Sequence, residues 1–145
     1  MKKVVVDSSV MVKWVKQNNE SNIKEANQIL VDAQAGKAIL IAPELAKYEV
    51  GNAILKKGIE VNQANQNLGT ISSLPIEFIS ETPNLAFQTY QMAYEVRLLG
   101  DKKFTYYDAA FAALAKKEDA ILVTDNPKHQ SKIKGVRVVP LAKYK

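Results

Sequence analysis

The sequence has no cysteine, one histidine, one tryptophan and two arginines among its 145 residues. Without cysteine there is no disulfide framework, no thiolate nucleophile and no Cys-ligated zinc or iron–sulfur centre. A single imidazole, His129, excludes His-rich metal sites and leaves one candidate imidazole base. It follows Pro127 in a Lys-rich tail, where surface exposure is expected. Long hydrophobic runs are missing as well. Met1-Lys2-Lys3-Val4-Val5-Val6 begins like a signal peptide, but Asp7 ends the apolar run. No later stretch approaches the ~20 apolar residues of a membrane helix, so a cytoplasmic protein is expected.

What is present is ordinary globular composition, 47% hydrophobic and 24% charged, with a net charge of +5. The length suits one domain over residues 1–145, and no repeat, low-complexity segment or linker divides it. Continuous apolar, β-branched runs at 3–6, 38–41, 76–79, 120–123 and 136–139 suit strands buried on both faces of a parallel sheet. Helical patterns separate most of them. Ser21 is placed to cap a helix that stops at Gly36, and Pro43 to open one over 44–57 that Gly58 closes. Further helices are expected around 61–71, from Thr82-Pro83 to Leu99, and over 105–117, the last apolar nearly all round and therefore buried. The alternation predicts an α/β fold, a three-layer α/β/α sandwich around a mainly parallel sheet of five strands.

Three of the six aspartates sit at element boundaries. Asp7 follows the first strand, Asp125 the fourth, and Asp108 lies in the first turn of the apolar helix. Ligands of open α/β sheets bind beyond the carboxyl ends of strands, where the strand order switches, so two strand-end aspartates are candidates for one site. Glu49, with Asn52 three residues on and on the same helix face, is a fourth candidate acid. Each also has a plainer reading: Asp7 and Asp108 as helix caps, Asp125-Asn126-Pro127 as a turn, Glu49 as solvated helix surface. Trp14 stands at helical spacing from Val10 and is expected to pack.

Taken in order, Val5-Val6-Asp7-Ser8-Ser9-Val10, Tyr48-Glu49-Val50-Gly51-Asn52-Ala53, Tyr107-Asp108-Ala109-Ala110 and Leu122-Val123-Thr124-Asp125 resemble the motifs of PIN-domain ribonucleases. The likeness is closest to VapC-type toxins of prokaryotic toxin–antitoxin pairs. It implies that the first and fourth strands are adjacent, and that Asp7, Glu49, Asp108 and Asp125 line one acidic pocket holding Mg²⁺ or Mn²⁺. It further implies supporting roles for Ser9, Asn52 and Thr124, an RNA substrate, homodimerisation, and an antitoxin whose basic segment covers the site. Many relatives place a residue between the threonine and the fourth acid, whereas Thr124 and Asp125 adjoin, so whether Asp125 or Asn126 faces the metal stays open.

Four carboxylates about 6 Å apart would repel by roughly 2.8 kcal/mol per pair at an effective dielectric near 20. Protonation or a cation must offset that, and an all-oxygen site selects hard ions such as Mg²⁺ or Mn²⁺ over zinc. Setting those four charges aside, the rest of the chain carries +9. Lys13, Lys47, Lys102, Lys103 and Lys128 lie near the motifs as candidate phosphate contacts, and Tyr106 and Tyr107 as stacking surfaces. With only Arg97 and Arg137, bidentate base reading is expected to be sparse. An Asp-nucleophile phosphatase wants a second Asp where Ser9 stands, and a receiver domain wants paired acids where Ser8 and Ser9 stand. The remaining rivals are a PIN-type nuclease acting in RNA processing or on DNA, and a non-catalytic protein whose acidic pocket docks a basic peptide.

Overall fold

The apolar runs form strands β1 (Lys2–Val6), β2 (Ala38–Pro43), β3 (Ile76–Ile79), β4 (Ile121–Thr124) and β5 (Val138–Pro140) in a computed structural model. It describes all residues except Gln17 and Asn19, and all of their side chains except that of His129, so the exposure expected of that imidazole lies outside what is described. Every pairing is parallel, and the strand order is β3-β2-β1-β4-β5. β1 is therefore central, which is why Val4, Val5 and Val6 are all fully buried.

Between the strands lie α1 (Ser8–Val15), α2 (Ile23–Gln34), α3 (Leu45–Lys56), α4 (Val61–Ser73), α5 (Pro83–Leu98), α6 (Tyr106–Lys117) and the single turn α7 (Pro127–Gln130). A 3₁₀ turn, Leu141–Lys143, follows β5. Parallel crossovers are right-handed, so stepping β1 to β2 to β3 puts α1 to α4 on one face. The return from β3 past β1 to β4 reverses the step and carries α5 and α6 to the other. Contacts agree: α6 lies against β1, β2 and β4 with α5 behind it, while α1 packs on α2, α3 and α4. The alanine-rich run Ala109–Ala115 is buried throughout, small side chains letting the α6 backbone approach the sheet. This is the three-layer parallel arrangement expected from the sequence.

Three element starts differ from expectation, β5 beginning at Val138 where 136 was expected. Asn22, not Ser21, precedes α2; it adopts a left-handed conformation (φ 57°), and its side chain makes no capping hydrogen bond. Pro43 ends β2 instead of opening α3, paired in register with Ile79, while the Glu44 N–H donates to the Ile79 carbonyl at 2.9 Å. Proline is tolerated at that strand end because the ladder bond passes to the next residue. Gly58, at φ 67°, closes α3 in the left-handed conformation that glycine adopts without penalty.

Candidate active site

The strand order switches between β1 and β4, and the carboxyl ends of those strands meet there. Val6 pairs with Val123, and the Asp7 N–H donates to the Val123 carbonyl at 3.0 Å, so Asp7 and Thr124 emerge side by side. Asp7 occupies the N-cap position of α1, yet its carboxylate makes no cap. Its Oδ2 instead accepts from Ser9 Oγ at 2.6 Å and Thr124 Oγ1 at 2.8 Å. Each hydroxyl also accepts a backbone N–H from the next loop, Ser9 Oγ from Asp125 and Thr124 Oγ1 from Asn126, both at 3.1 Å. The two hydroxyls thus latch the loop after β4 onto the end of β1.

Asp108 arrives from the other face. It is the third residue of α6 in a reciprocal cap with Thr105: the Asp108 N–H donates to Thr105 Oγ1, and Asp108 Oδ2 accepts from the Thr105 N–H, both at 3.0 Å. The capping reading and the site reading hold together here, because the cap fixes the side chain at the rim of the cleft. Glu49 projects from α3, and its Oε1 accepts from Ser8 Oγ at 3.1 Å.

Asp7, Ser8, Ser9, Glu49, Asp108, Asn126 and Gln130 line one cleft of about 200 Å³. Asp125 does not line it. Its Oδ2 pairs with Lys13 Nζ at 3.0 Å, and its Oδ1 accepts from Asn22 Nδ2 at 3.1 Å. Of the two residues left open in sequence, Asn126 is the one at the cleft. Asn52 is exposed on α3 and outside it.

Burial is the main reason the Asp7 carboxyl is raised above its ordinary value; the Ser9 and Thr124 hydrogen bonds oppose that, and the Asp108 charge adds to it. Glu49 is pushed up to about 7, first by burial, then by the charges of Asp7 and Asp108 against a smaller opposing effect of Ser8. Among the described residues, no three His, Asp or Glu side chains are gathered into a set that would hold a metal ion as they stand. The side chains lining the cleft offer only oxygen or amide groups, three of them carboxyls. That chemistry fits a hard divalent ion.

Lys13 is not a phosphate contact. It is 1% exposed and bonded to Glu20 at 2.8 Å as well as to Asp125. Burial pulls its ammonium down, but the two carboxylates outweigh that and hold it raised. Lys47 lies against Glu44 and the Phe78 ring, while Lys102, Lys103 and Lys128 are exposed. Trp14 packs as expected, its Nε1 donating to the Ala26 carbonyl at 3.0 Å. Tyr107 is exposed beside Asp108, and the Tyr106 hydroxyl is committed to Glu81. Sequence reasoning passed over Ser8, Thr105 and Gln130. The Thr-x-x-Asp spacing signalled Thr105, and the one-turn spacing from Asn126 was the available signal for Gln130.

Solved structures share this architecture. VapBC2 from Rickettsia felis, bound to a DNA fragment from its promoter, is similar over 95% of this chain and 98% of that one (17% identity, TM-score 0.76). DNA-bound VapBC from Salmonella typhimurium is similar over 97% and 99% (17% identity, TM-score 0.72). VapC20 of Mycobacterium tuberculosis, a sarcin–ricin loop cleaving toxin, is similar over 92% and 98% (14% identity, TM-score 0.65). No curated protein sequence matches the chain. The PIN domain family model matches residues 4–135, nearly the whole length, with the acidic cleft inside the matched span, and the chain belongs to the PIN domain family.

Proposed function

We propose that this protein is a Mg²⁺- or Mn²⁺-dependent ribonuclease, the toxin of a toxin–antitoxin pair. The observation that carries the reading is the cleft at the sheet's switch point, where Asp7, Glu49 and Asp108 come from three different elements to face one volume. Similarity to VapBC assemblies and to an RNA-cleaving toxin supports the substrate and the biological role.

In this reading Asp7, Asp108 and Glu49 hold the ion, with Asn126 as a neutral neighbour. A bound divalent ion supplies a more acidic water and offsets charge building on the phosphate. Ser9 and Thr124 fix the rotamer of Asp7, and Thr105 fixes that of Asp108. Asp125 is a positioning residue: its carboxylate holds Lys13 and Asn22, and its N–H holds Ser9. Exposed Lys102, Lys103 and Lys128 contribute to phosphate attraction. The acidic cleft suits a basic antitoxin segment. Phe87, Tyr90, Tyr94 and Leu98, exposed at helical spacing along α5, suit a protein–protein interface such as that of a homodimer.

Purified protein incubated with labelled structured RNAs tests this. Cleavage is expected with Mg²⁺ or Mn²⁺ and not with EDTA. Asp7→Asn forfeits several kcal/mol of charge stabilisation, on the order of 10³-fold in rate. Asp125→Asn loses far less. Metal-independent cleavage, or equal losses in the two variants, would contradict the assignment. Growth arrest on induction that is the same for wild type and Asp108→Asn would sink catalytic toxicity.

A further inference from the structure

Positive charge is unevenly spread along this chain. Residues 97–145 hold 11 Lys and Arg against 5 Asp and Glu, a net of +6, while residues 1–96 net −1. Much of that excess lies along one path leading away from the cleft. Asn126 and Gln130 line the cleft, and Lys128 is exposed on α7 between them. The Ile133 N–H donates to the Gln130 carbonyl at 3.1 Å, and Lys132 pairs with Asp101 at 3.6 Å. That pair sets the loop carrying exposed Lys102 and Lys103 beside the segment. Lys132 and Lys134 then line a hollow of about 280 Å³ with Lys116, near the end of α6, over buried Met92 and Val96. A hollow of about 370 Å³ adjoins it, sharing Met92, Glu95 and Lys116 and adding Lys117.

The other side of the cleft is different. Toward β2 and β3, Glu44 and Glu81 follow the strand ends, and Lys47 is held by Glu44. No charged side chain lies on α4. A polyanion approaching three carboxyls is repelled unless cations nearby offset them, and cations on one side only also set its direction. Lys116 stands eight residues along α6 from Asp108, about 12 Å by helical rise, within reach of the same short RNA. Lysine heads are point charges suited to phosphate, with no fork for reading a base edge. We propose that this lysine-lined groove is the RNA-binding track of the protein, holding backbone phosphates on the α6–α7 side of the cleft. The inference rests on the ribonuclease reading above and adds to it the path of the substrate.

Fluorescence anisotropy of a labelled RNA hairpin, in EDTA so that metal-dependent cleavage plays no part, tests this across a salt series. The track variant combines Lys116→Gln, Lys132→Gln and Lys134→Gln. Its control, Lys24→Gln with Lys37→Gln and Lys56→Gln, removes the same charge from exposed lysines elsewhere. The track variant should bind roughly 10-fold more weakly at low salt, with the slope of log affinity against log salt shallower by about 2. The control should stay close to wild type. Arginine at the three track positions should bind at least as tightly as wild type, since the charge is kept. Equal losses in track variant and control overturn the inference, as does an unchanged salt slope. If the triple variant does not fold, Lys134→Gln decides alone, with a slope shallower by about 0.7 expected and no change overturning the proposal. A polyglutamate peptide that binds the groove more tightly than the RNA would assign it to an acidic protein partner instead. RNA cleavage by wild type, with binding by the track variant unimpaired, strikes this inference and leaves the nuclease reading standing. Track-dependent RNA binding by a chain that cleaves no RNA does the reverse.

Discussion

At the scale of single residues, the cleft is a place where ordinary side chains are held in conditions that water would not impose. Glu49 shows this most sharply, its carboxyl raised to about 7 by burial and by two neighbouring acids. A carboxyl raised on folding favours the protonated native state. Its stabilising contribution is complete below the unfolded value of 4.5 and is lost as pH rises through about 7. Metal-free protein should therefore melt several degrees lower near pH 8 than near pH 5. Glu49→Gln should remove part of that slope, leaving the share due to Asp7, which shifts in the same direction. Melting curves in EDTA across that range check it; identical slopes for the two proteins would contradict the assignment. Asp7 and Asp108 were legible from sequence because one follows a strand and the other opens a helix, whereas Glu49, a full turn into α3, has no such boundary to mark it. Ser8 was not legible, since a hydroxyl has no signature until something buries it, and Gln130 offered only its one-turn spacing from Asn126.

At the scale of elements, one buried ammonium ties three segments together. Lys13 on α1 bridges Glu20, ahead of α2, and Asp125, after β4, and Glu20 also takes Lys57 from the end of α3 at 2.9 Å. Removing both acids strands the charge. Glu20→Gln with Asp125→Asn should cost on the order of 3–5 kcal/mol in urea denaturation. Lys13→Met, which removes the charge and fills similar volume, should cost distinctly less. Equal losses would mean that packing of the lysine stem, not its charge, matters. In sequence, Lys13 reads as one more cation near a motif and Asp125 as the fourth acid of the set. Their pairing depends on how α1 sits against β4, which no local pattern carries.

At the scale of the whole molecule, the two chain ends close on each other. The Tyr144 hydroxyl donates to buried Asp32 at 2.8 Å, and Lys2 pairs with Asp32 at 3.4 Å while lying over the Tyr144 ring. Hydrogen bonds from Gln28 and then Tyr144, with the charge of Lys2, hold the Asp32 carboxyl below its ordinary value. Its stabilisation is thus present above the unfolded value and lost as pH falls through the folded one. Tyr144→Phe should cost about 1.5 kcal/mol, the value of a hydrogen bond to a charged group. For a chain of this size that lowers the melting temperature by roughly 3–5 °C. No fall in a thermal melt at neutral pH would show that the ring alone anchors the terminus. Cleavage should survive the change, because the tie lies on β1's far end from the cleft.

The sequence by itself determined the elements and the chemistry. Continuous β-branched runs specify buried parallel strands, and a chain without cysteine and with one histidine leaves oxygen as its metal-binding chemistry. Strand-end acids marked where that chemistry had to lie. Element starts at Asn22 and after Pro43 escaped it, since either of two adjacent residues satisfies the local rule. Only the tertiary structure decided which acids share a volume. The reversal of strand order sets β4 beside β1, and the hydroxyls of Ser9 and Thr124 hold the following loop in place. That brings Asn126 and Gln130 to the cleft and leaves Asp125 paired with Lys13. Composition counts charges; the side to which a carboxylate turns depends on where its counter-ion is buried.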